Sequence, residues 1–242
     1  MSGSSGFWAA PRHPWPSAFF ALLLLGLYEA GLVWLGAQGT PAARTGLDSW
    51  LQAWLHDMSW KQVWMPPVLV GGIILVWLAL AWRTPAPPLG TTVLSIVLES
   101  VVWALMLWGA GAALGPWLDQ TLAALPPREP NLSTLAWCVS FVGAGIYEET
   151  LFRLILFTLL LKTATPLLGK GSGVFLAVIV SAGLFAAAHH FGPQGEAWSR
   201  NVFLFRVVAG ISFALLYHYR GFGVAVGCHA SYDVLVGVAA SG

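Results

Sequence analysis

Between Leu135 and Leu161 the chain is almost wholly apolar, yet it carries adjacent carboxylates at Glu148 and Glu149 and a guanidinium at Arg153. An apolar run of this length matches the hydrocarbon core of a bilayer, which takes about 20 residues of helix. Backbone polar groups find no water at that depth, so such a run must be helical or part of a closed barrel. A charged side chain there costs roughly 2.5–3.5 kcal/mol on insertion scales and usually marks a functional site. Other apolar stretches also carry ionisable groups: His189 with His190, then Arg206, then His229 with Asp233.

Composition supports the membrane reading. The 242 residues are 57% hydrophobic and 9% charged, where soluble domains carry about 25% charged residues. The expected fold is all-α, a polytopic transmembrane helical bundle of about seven spans, with six to eight the range that the length allows. Hydropathy puts these spans near 17–36, 65–82, 91–114, 132–161, 173–191, 201–219 and 222–240. Pro85, Pro87 and Pro88 part the second span from the third, and Pro126, Pro127 and Pro130 precede the fourth. Pro166, Gly169 and Gly171 follow the fourth, and Gly192 with Pro193 ends the fifth. Arg12 and His13 precede the run Ser17–Leu35, which is long for a signal-peptide core and contains Glu29, so a retained first helix is expected.

The segment 37–62 mixes Trp50, Leu51, Trp54 and Leu55 with Asp48, Gln52 and Asp57. That spacing predicts a short amphipathic helix, lying in the membrane interface or packed on the bundle. Arg12, Arg83, Lys162, Lys170 and Arg220 fall on one side of a seven-span arrangement, and Arg44, Lys61, Arg128 and Arg200 on the other. This bias points to a cell-membrane protein with a cytoplasmic N-terminus. The net charge of +1 and the lack of a basic cluster exclude nucleic acid as the expected partner. Tryptophans near span ends, such as Trp15, Trp34, Trp82 and Trp198, suit the headgroup level. Small residues spaced by four, Gly223, Gly227 and Ser231 or Ala182 and Ala186, predict close helix approach. Cys138 and Cys228 sit in apolar segments and read as packing residues.

The polar motifs carry the chemistry. Glu149 precedes Arg153 by four residues, the favoured order for a helical ion pair. Glu148 lies about 100° around the helix and is left for another partner. Two adjacent carboxylates in low dielectric resist double ionisation, a condition under which one of them can serve as a general base near neutral pH. Of His189 and His190, which point to different faces, His189 is the better candidate to meet Glu148. His190 stands beside Phe191 and the helix-ending Gly192. His229 and Asp233 share a face of the last helix. They suit either an oxyanion site or, with Glu148 and His189, metal ligation. Glu29, Glu99 and Arg206 also fall within apolar spans. Arg206 is expected to pair with one of the acids and tie helices together, with substrate binding as its other reading.

Glu148-Glu149-x-x-x-Arg153, Phe185-x-x-x-His189 and His229-x-x-x-Asp233 occur in this order on three separate hydrophobic helices. In this they resemble the CPBP family of intramembrane proteases, which includes the CAAX-processing, Ras-converting type of endopeptidase. The span with Phe205, Gly210 and Tyr217–Tyr219 also looks like that family. The resemblance covers about residues 132–240 and implies a catalytic helical core there. Residues 1–131 supply N-terminal transmembrane helices and the loop helix of a single membrane domain. It implies a glutamate-dependent peptidase without metal or cofactor. Glu148 and His189 activate water, His229 and Asp233 lie at the oxyanion, and Glu149 and Arg153 support them. The substrate is then a membrane-anchored protein or peptide, cleaved near its membrane segment or C-terminus. Many relatives carry Asn where this chain has Asp233. An ionised Asp cannot donate to an oxyanion, so Asp233 is either protonated or serves to orient His229.

Two other readings share these features. A proton-coupled transporter also places Glu, His and Asp within helices, but usually with broken helices or a repeat, and no repeat is visible in this sequence. A non-catalytic membrane protein on the same scaffold is the second, since fold alone does not guarantee activity.

Overall fold

The computed structural model describes residues 9–40, 44–57, 64–81, 85–114, 133–191 and 195–239. The described chain is an all-α membrane bundle. After a 3-10 turn at Ala10–Arg12 come α1 (Pro14–Ala37), α2 (Gly46–Asp57), α3 (Met65–Leu80) and α4 (Leu89–Leu114). Then follow α5 (Thr134–Glu149), a π-helical segment (Thr150–Phe157) and α6 (Thr158–Leu168), which form one continuous rod. The last elements are α7 (Lys170–Ala188), α8 (Arg200–Arg220) and α9 (Phe222–Ala239). Five described helices are long and apolar enough to cross a membrane, and Met65–Leu80 and Phe222–Gly237 are shorter apolar helices. Together they occupy the seven segments expected from hydropathy. Pro126, Pro127, Pro130, Gly192, Pro193, Trp82, Arg83, Lys61 and Arg128 lie outside the described residues.

Local chemistry sets the helix ends. Pro14 opens α1, where a missing N–H costs nothing, and His13 Nδ1 accepts from the Trp15 N–H at 3.2 Å. Ser133 caps α5, its Oγ accepting from the Ala136 N–H at 3.2 Å. The rod Thr134–Leu168 has 35 residues, roughly 50 Å of helix, well over the ~30 Å hydrocarbon core. The fourth span thus runs beyond the expected limit. Pro166 lies inside the helix, and the stop falls at Gly169, whose φ of 80° only glycine adopts without strain.

The short helix α9 is the centre of the bundle. Residues 221–230 are all buried, which is how a helix apolar on every side is stabilised. It packs against α4, α5, α8 and α1, while α7 packs against α6 and α8. The small residues do bring helices together: Gly223 lies against Ser17 of α1, Gly227 against Ser100 of α4, and Gly210 against Ala182 of α7. Backbones of α5 and α9 approach closely at Gly145, where an added Cβ would stand 2.9 Å from both Ala230 N and Val226 O of α9.

Helix α2 splits the expected apolar stripe. Leu55 is buried and Leu47 and Leu51 pack on the core, while Trp50 and Trp54 stay exposed. The helix is docked on α3 and α5 with Asp48 fully buried beneath it. Asp48 Oδ2 accepts from Tyr28 Oη at 2.8 Å and Arg44 Nη1 at 2.7 Å. Arg44 also stands 3.8 Å from Glu29 of α1, whose carboxylate accepts from Tyr147 Oη of α5 at 3.4 Å. Glu99 of α4 accepts from Arg220 Nε at 2.7 Å, closing a second buried-charge contact between helices. Trp15, Trp34 and Trp198 are exposed.

Gly145→Ala must push α5 away from α9, because its Cβ meets backbone atoms that cannot rotate aside. A loss of about 1–3 kcal/mol is expected, read as a lower unfolding midpoint of the purified protein in detergent. Unchanged stability would mean that the two helices separate freely.

Candidate functional site

Three helices meet where α5 gives way to the π-helical segment. Such segments add a residue to the turn and are frequent at functional sites. Glu148 and Glu149 end α5, and Arg153 lies within the π-helical segment. The Glu149–Arg153 contact expected for α-helical spacing forms across it, with Nε 3.2 Å from Oε2. Both side chains are 0% exposed. Arg153 Nη2 donates to Gly210 O of α8 at 3.0 Å. The guanidinium also lies 4.6 Å from the Phe185 ring centre and 5.6 Å from that of Phe213, where ring faces partly replace lost hydration.

The other oxygen of Glu149 goes to His229. Its Oε1 is 2.8 Å from His229 Nδ1, so the ring donates and the carboxylate accepts. This bond was not anticipated from sequence, where Glu149 was assigned to Arg153 alone. Glu149 in fact serves both, one oxygen each. His229 stacks on Phe213, ring centres 4.5 Å apart and planes at 9°. Its Nε2 faces Asp233 Oδ2 at 3.5 Å and Glu148 Oε2 at 3.9 Å. With both ring nitrogens facing carboxylate oxygens, the doubly protonated ring is the form that satisfies both.

Glu148 points elsewhere, as the 100° step requires. Its Oε2 is 3.5 Å from His189 Nε2. His189 follows the last residue of α7, so the carbonyls of the final helical turn are open to other donors. Its Nδ1 donates to Phe185 O at 2.8 Å, which leaves Nε2 as an acceptor on the neutral ring. Phe185 contacts the rings of His189 and His229 at 4.8 and 5.8 Å. The Phe185-x-x-x-His189 motif therefore supplies both the carbonyl that fixes one histidine and a wall shared with the other.

Exposure separates these groups. Glu149 is 0% and His229 4% exposed, whereas Glu148, Asp233 and His189 are 12%, 16% and 17%. His190 turns away: its Nδ1 is 3.2 Å from Glu196 O and its ring packs on Trp198. Arg206 pairs with an acid, as expected, and that acid stands on a loop. Its Nε donates to Glu196 Oε2 at 3.2 Å, and Nη2 pairs with Oε1 of the same carboxylate. That contact ties the loop between α7 and α8 to α8. Cys138 and Cys228 are both free thiols.

The structure thus brings Glu148, Glu149, Arg153, His189, His229 and Asp233 into one cluster. Phe213 and Gly210 belong to it as well. Gly210 stood out only as part of the family-like span, and Phe213 was not marked at all, because a Phe in an apolar span looks like ordinary packing. Among the described residues, no three His, Cys, Asp or Glu side chains are grouped so as to hold a metal ion.

Arg153→Ala strands the Glu149 carboxylate in a dry setting and should cost about 3–5 kcal/mol. The double variant Glu149→Gln with Arg153→Met removes both charges and should recover much of that loss. Thermal unfolding of the three proteins in detergent decides it. An Arg153→Ala protein as stable as wild type would mean that the pair contributes nothing to the fold.

Residues 130–235 match the family model described as Type II CAAX prenyl endopeptidase Rce1-like. The resemblance to CAAX-processing proteases read from the three motifs is thereby borne out. Neither the curated proteins nor the solved structures include a match to the chain.

Proposed function

Proceeding from an Rce1-like domain at residues 130–235, we propose that this integral membrane protein is an intramembrane endopeptidase of the glutamic type. It hydrolyses a peptide bond near the membrane-associated segment or C-terminus of a protein or peptide. The catalytic core falls within residues 132–240, and the described N-terminal helices α1 to α4 pack around it. The arginine and lysine bias of the loops supports a cytoplasmic N-terminus in the cell membrane.

The observation that carries this reading is the facing of Glu148 Oε2 and His189 Nε2 across 3.5 Å. Both are acceptors when His189 is neutral. A water molecule donating one O–H to each is held with a lone pair free, as a nucleophile must be. Attack of that oxygen on the peptide carbonyl carbon transfers a water proton to Glu148. The carbonyl oxygen becomes an oxyanion and accepts from His229 Nε2–H. Asp233 favours the charged form of His229 and does not itself need to donate. As the C–N bond breaks, the proton on Glu148 passes to the leaving nitrogen. The products are a carboxylic acid and an amine, and the Glu148 carboxylate is restored. Glu149 holds His229 through Nδ1, and Arg153 holds Glu149.

Each effect has a familiar size. A positioned base contributes about 10²–10⁴ in rate, and an oxyanion donor about 10²–10³. Glu148→Gln keeps the shape and cannot take a proton, so turnover should fall by about 10²–10⁴ with no change in unfolding midpoint. In cells the substrate should accumulate uncleaved, seen in the mass of its C-terminus. Normal turnover by this variant would remove Glu148 from the mechanism.

The same residues suggest zinc as a competing chemistry, and chelation separates the two. The purified active protein should hold no stoichiometric zinc and keep its activity through prolonged chelation. Activity lost to chelator and restored by zinc would reassign Glu148, His189 and His229 as ligands.

A further inference from the structure

Arg206 is the charged group near the reaction centre that the mechanism does not use. It projects from α8, partly buried, with its side chain 13% exposed. Its Nε and Nη2 meet the two oxygens of one carboxylate, Glu196 Oε2 and Oε1, a two-point geometry that Arg offers to carboxylates in general. Glu196 is not on a helix of the bundle but in the short connection between α7 and α8. That connection starts at the site itself, because the Glu196 N–H donates to His189 O at 2.8 Å.

A substrate reaching this site meets the carboxylates of Glu148 and Asp233. A C-terminal CAAX sequence is anionic before it is cut, since it ends in a free carboxylate. Any bond within it lies within three residues, about 10 Å of extended chain, of that terminus. A peptide whose scissile bond sits at Glu148 thus needs a cation at short range for its end.

We infer that Arg206 binds the C-terminal carboxylate of the substrate, and that Glu196 occupies this position in the free enzyme and is displaced when substrate enters. This rests on the peptidase reading above for the kind of substrate. It adds the residue that holds the end of the chain and the carboxylate that stands in for it.

The experiment uses the full chain in detergent micelles and two farnesylated peptides ending in Cys-Val-Ile-Met, one with a free C-terminal acid and one with a C-terminal amide. Binding is measured by fluorescence polarisation and cleavage by mass spectrometry. The acid should bind about 10- to 100-fold more tightly than the amide, the range for a charged hydrogen-bonded contact. Arg206→Gln should bring the acid down to the affinity of the amide, and Glu196→Gln should tighten binding of the acid. Equal affinity for acid and amide in the wild-type protein, which needs no variant to fold, would overturn the carboxylate site. So would an Arg206→Gln protein that loses affinity for both peptides alike. Cleavage reports on the other premise. Selective binding of the acid with neither peptide cut would leave the carboxylate site standing and remove the peptidase reading. Cleavage of both with no preference would do the reverse.

Discussion

One carboxylate, Glu149, holds the site together. Its two oxygens serve two different cationic or hydrogen-donating partners, Arg153 at 3.2 Å and His229 at 2.8 Å, in surroundings with no exposure to solvent. Burying a guanidinium costs several kcal/mol unless its charge and its donors are met. Here Glu149, the Gly210 carbonyl and the ring faces of Phe185 and Phe213 share that task. These partners lie on α5, α7 and α8, and Glu149 also takes His229 of α9, so compensating one charge fixes four helices relative to each other. His229 is oriented by the same carboxylate through its other oxygen. Dryness strengthens every one of these contacts, and the close backbone approach at Gly145 is what lets α9 deliver His229 to Glu149.

Three consecutive residues at the end of α5 address three separate networks. Tyr147 reaches Glu29, and through Arg44 the buried Asp48 beneath α2. Glu148 faces His189, and Glu149 takes His229 and Arg153. Successive side chains on a helix diverge by about 100°, so three in a row cover the full circle. A rotation of α5 that improved one of these contacts would spoil the other two. The loop helix α2 is part of this arrangement: its clamp holds Tyr147 and thereby the azimuth of both glutamates. The N-terminal helices, which carry no recognisable motif, thus bear on the geometry of the site.

The sequence made the ionisable residues legible because a bilayer span tolerates so few of them. Glu148, Glu149, Arg153, His189, His229 and Asp233 stand out against an apolar background, and helical spacing correctly paired Glu149 with Arg153 and set His189 rather than His190 toward Glu148. The number of apolar helices followed from hydropathy for the same reason. Contacts between helices were not legible. Nothing in the spacing says that Glu149 also bonds His229, that Phe213 stacks on it, or that Arg206 turns to a loop carboxylate ten residues back. Those depend on the rotation and depth of packed helices. The fourth span was read too short because hydropathy measures the membrane core, while the rod continues past it through Pro166 to Gly169.

Water is both needed and harmful here. Hydrolysis consumes a water molecule, yet the ion pair that organises the site is strong only where water is absent. The exposures resolve this conflict by position. The supporting groups Glu149 and Arg153 are fully enclosed, and His229 nearly so, while Glu148, His189 and Asp233 line the more accessible side. The boundary between the two sets runs through adjacent residues of a single helix, Glu148 and Glu149. A helix end is well suited to this, since a 100° step converts one residue of sequence into a change from interior to opening. The π-helical segment that follows lets Arg153 keep its hold on Glu149 from within the interior, so the Glu148 carboxylate can stay open to water without loosening the charges behind it.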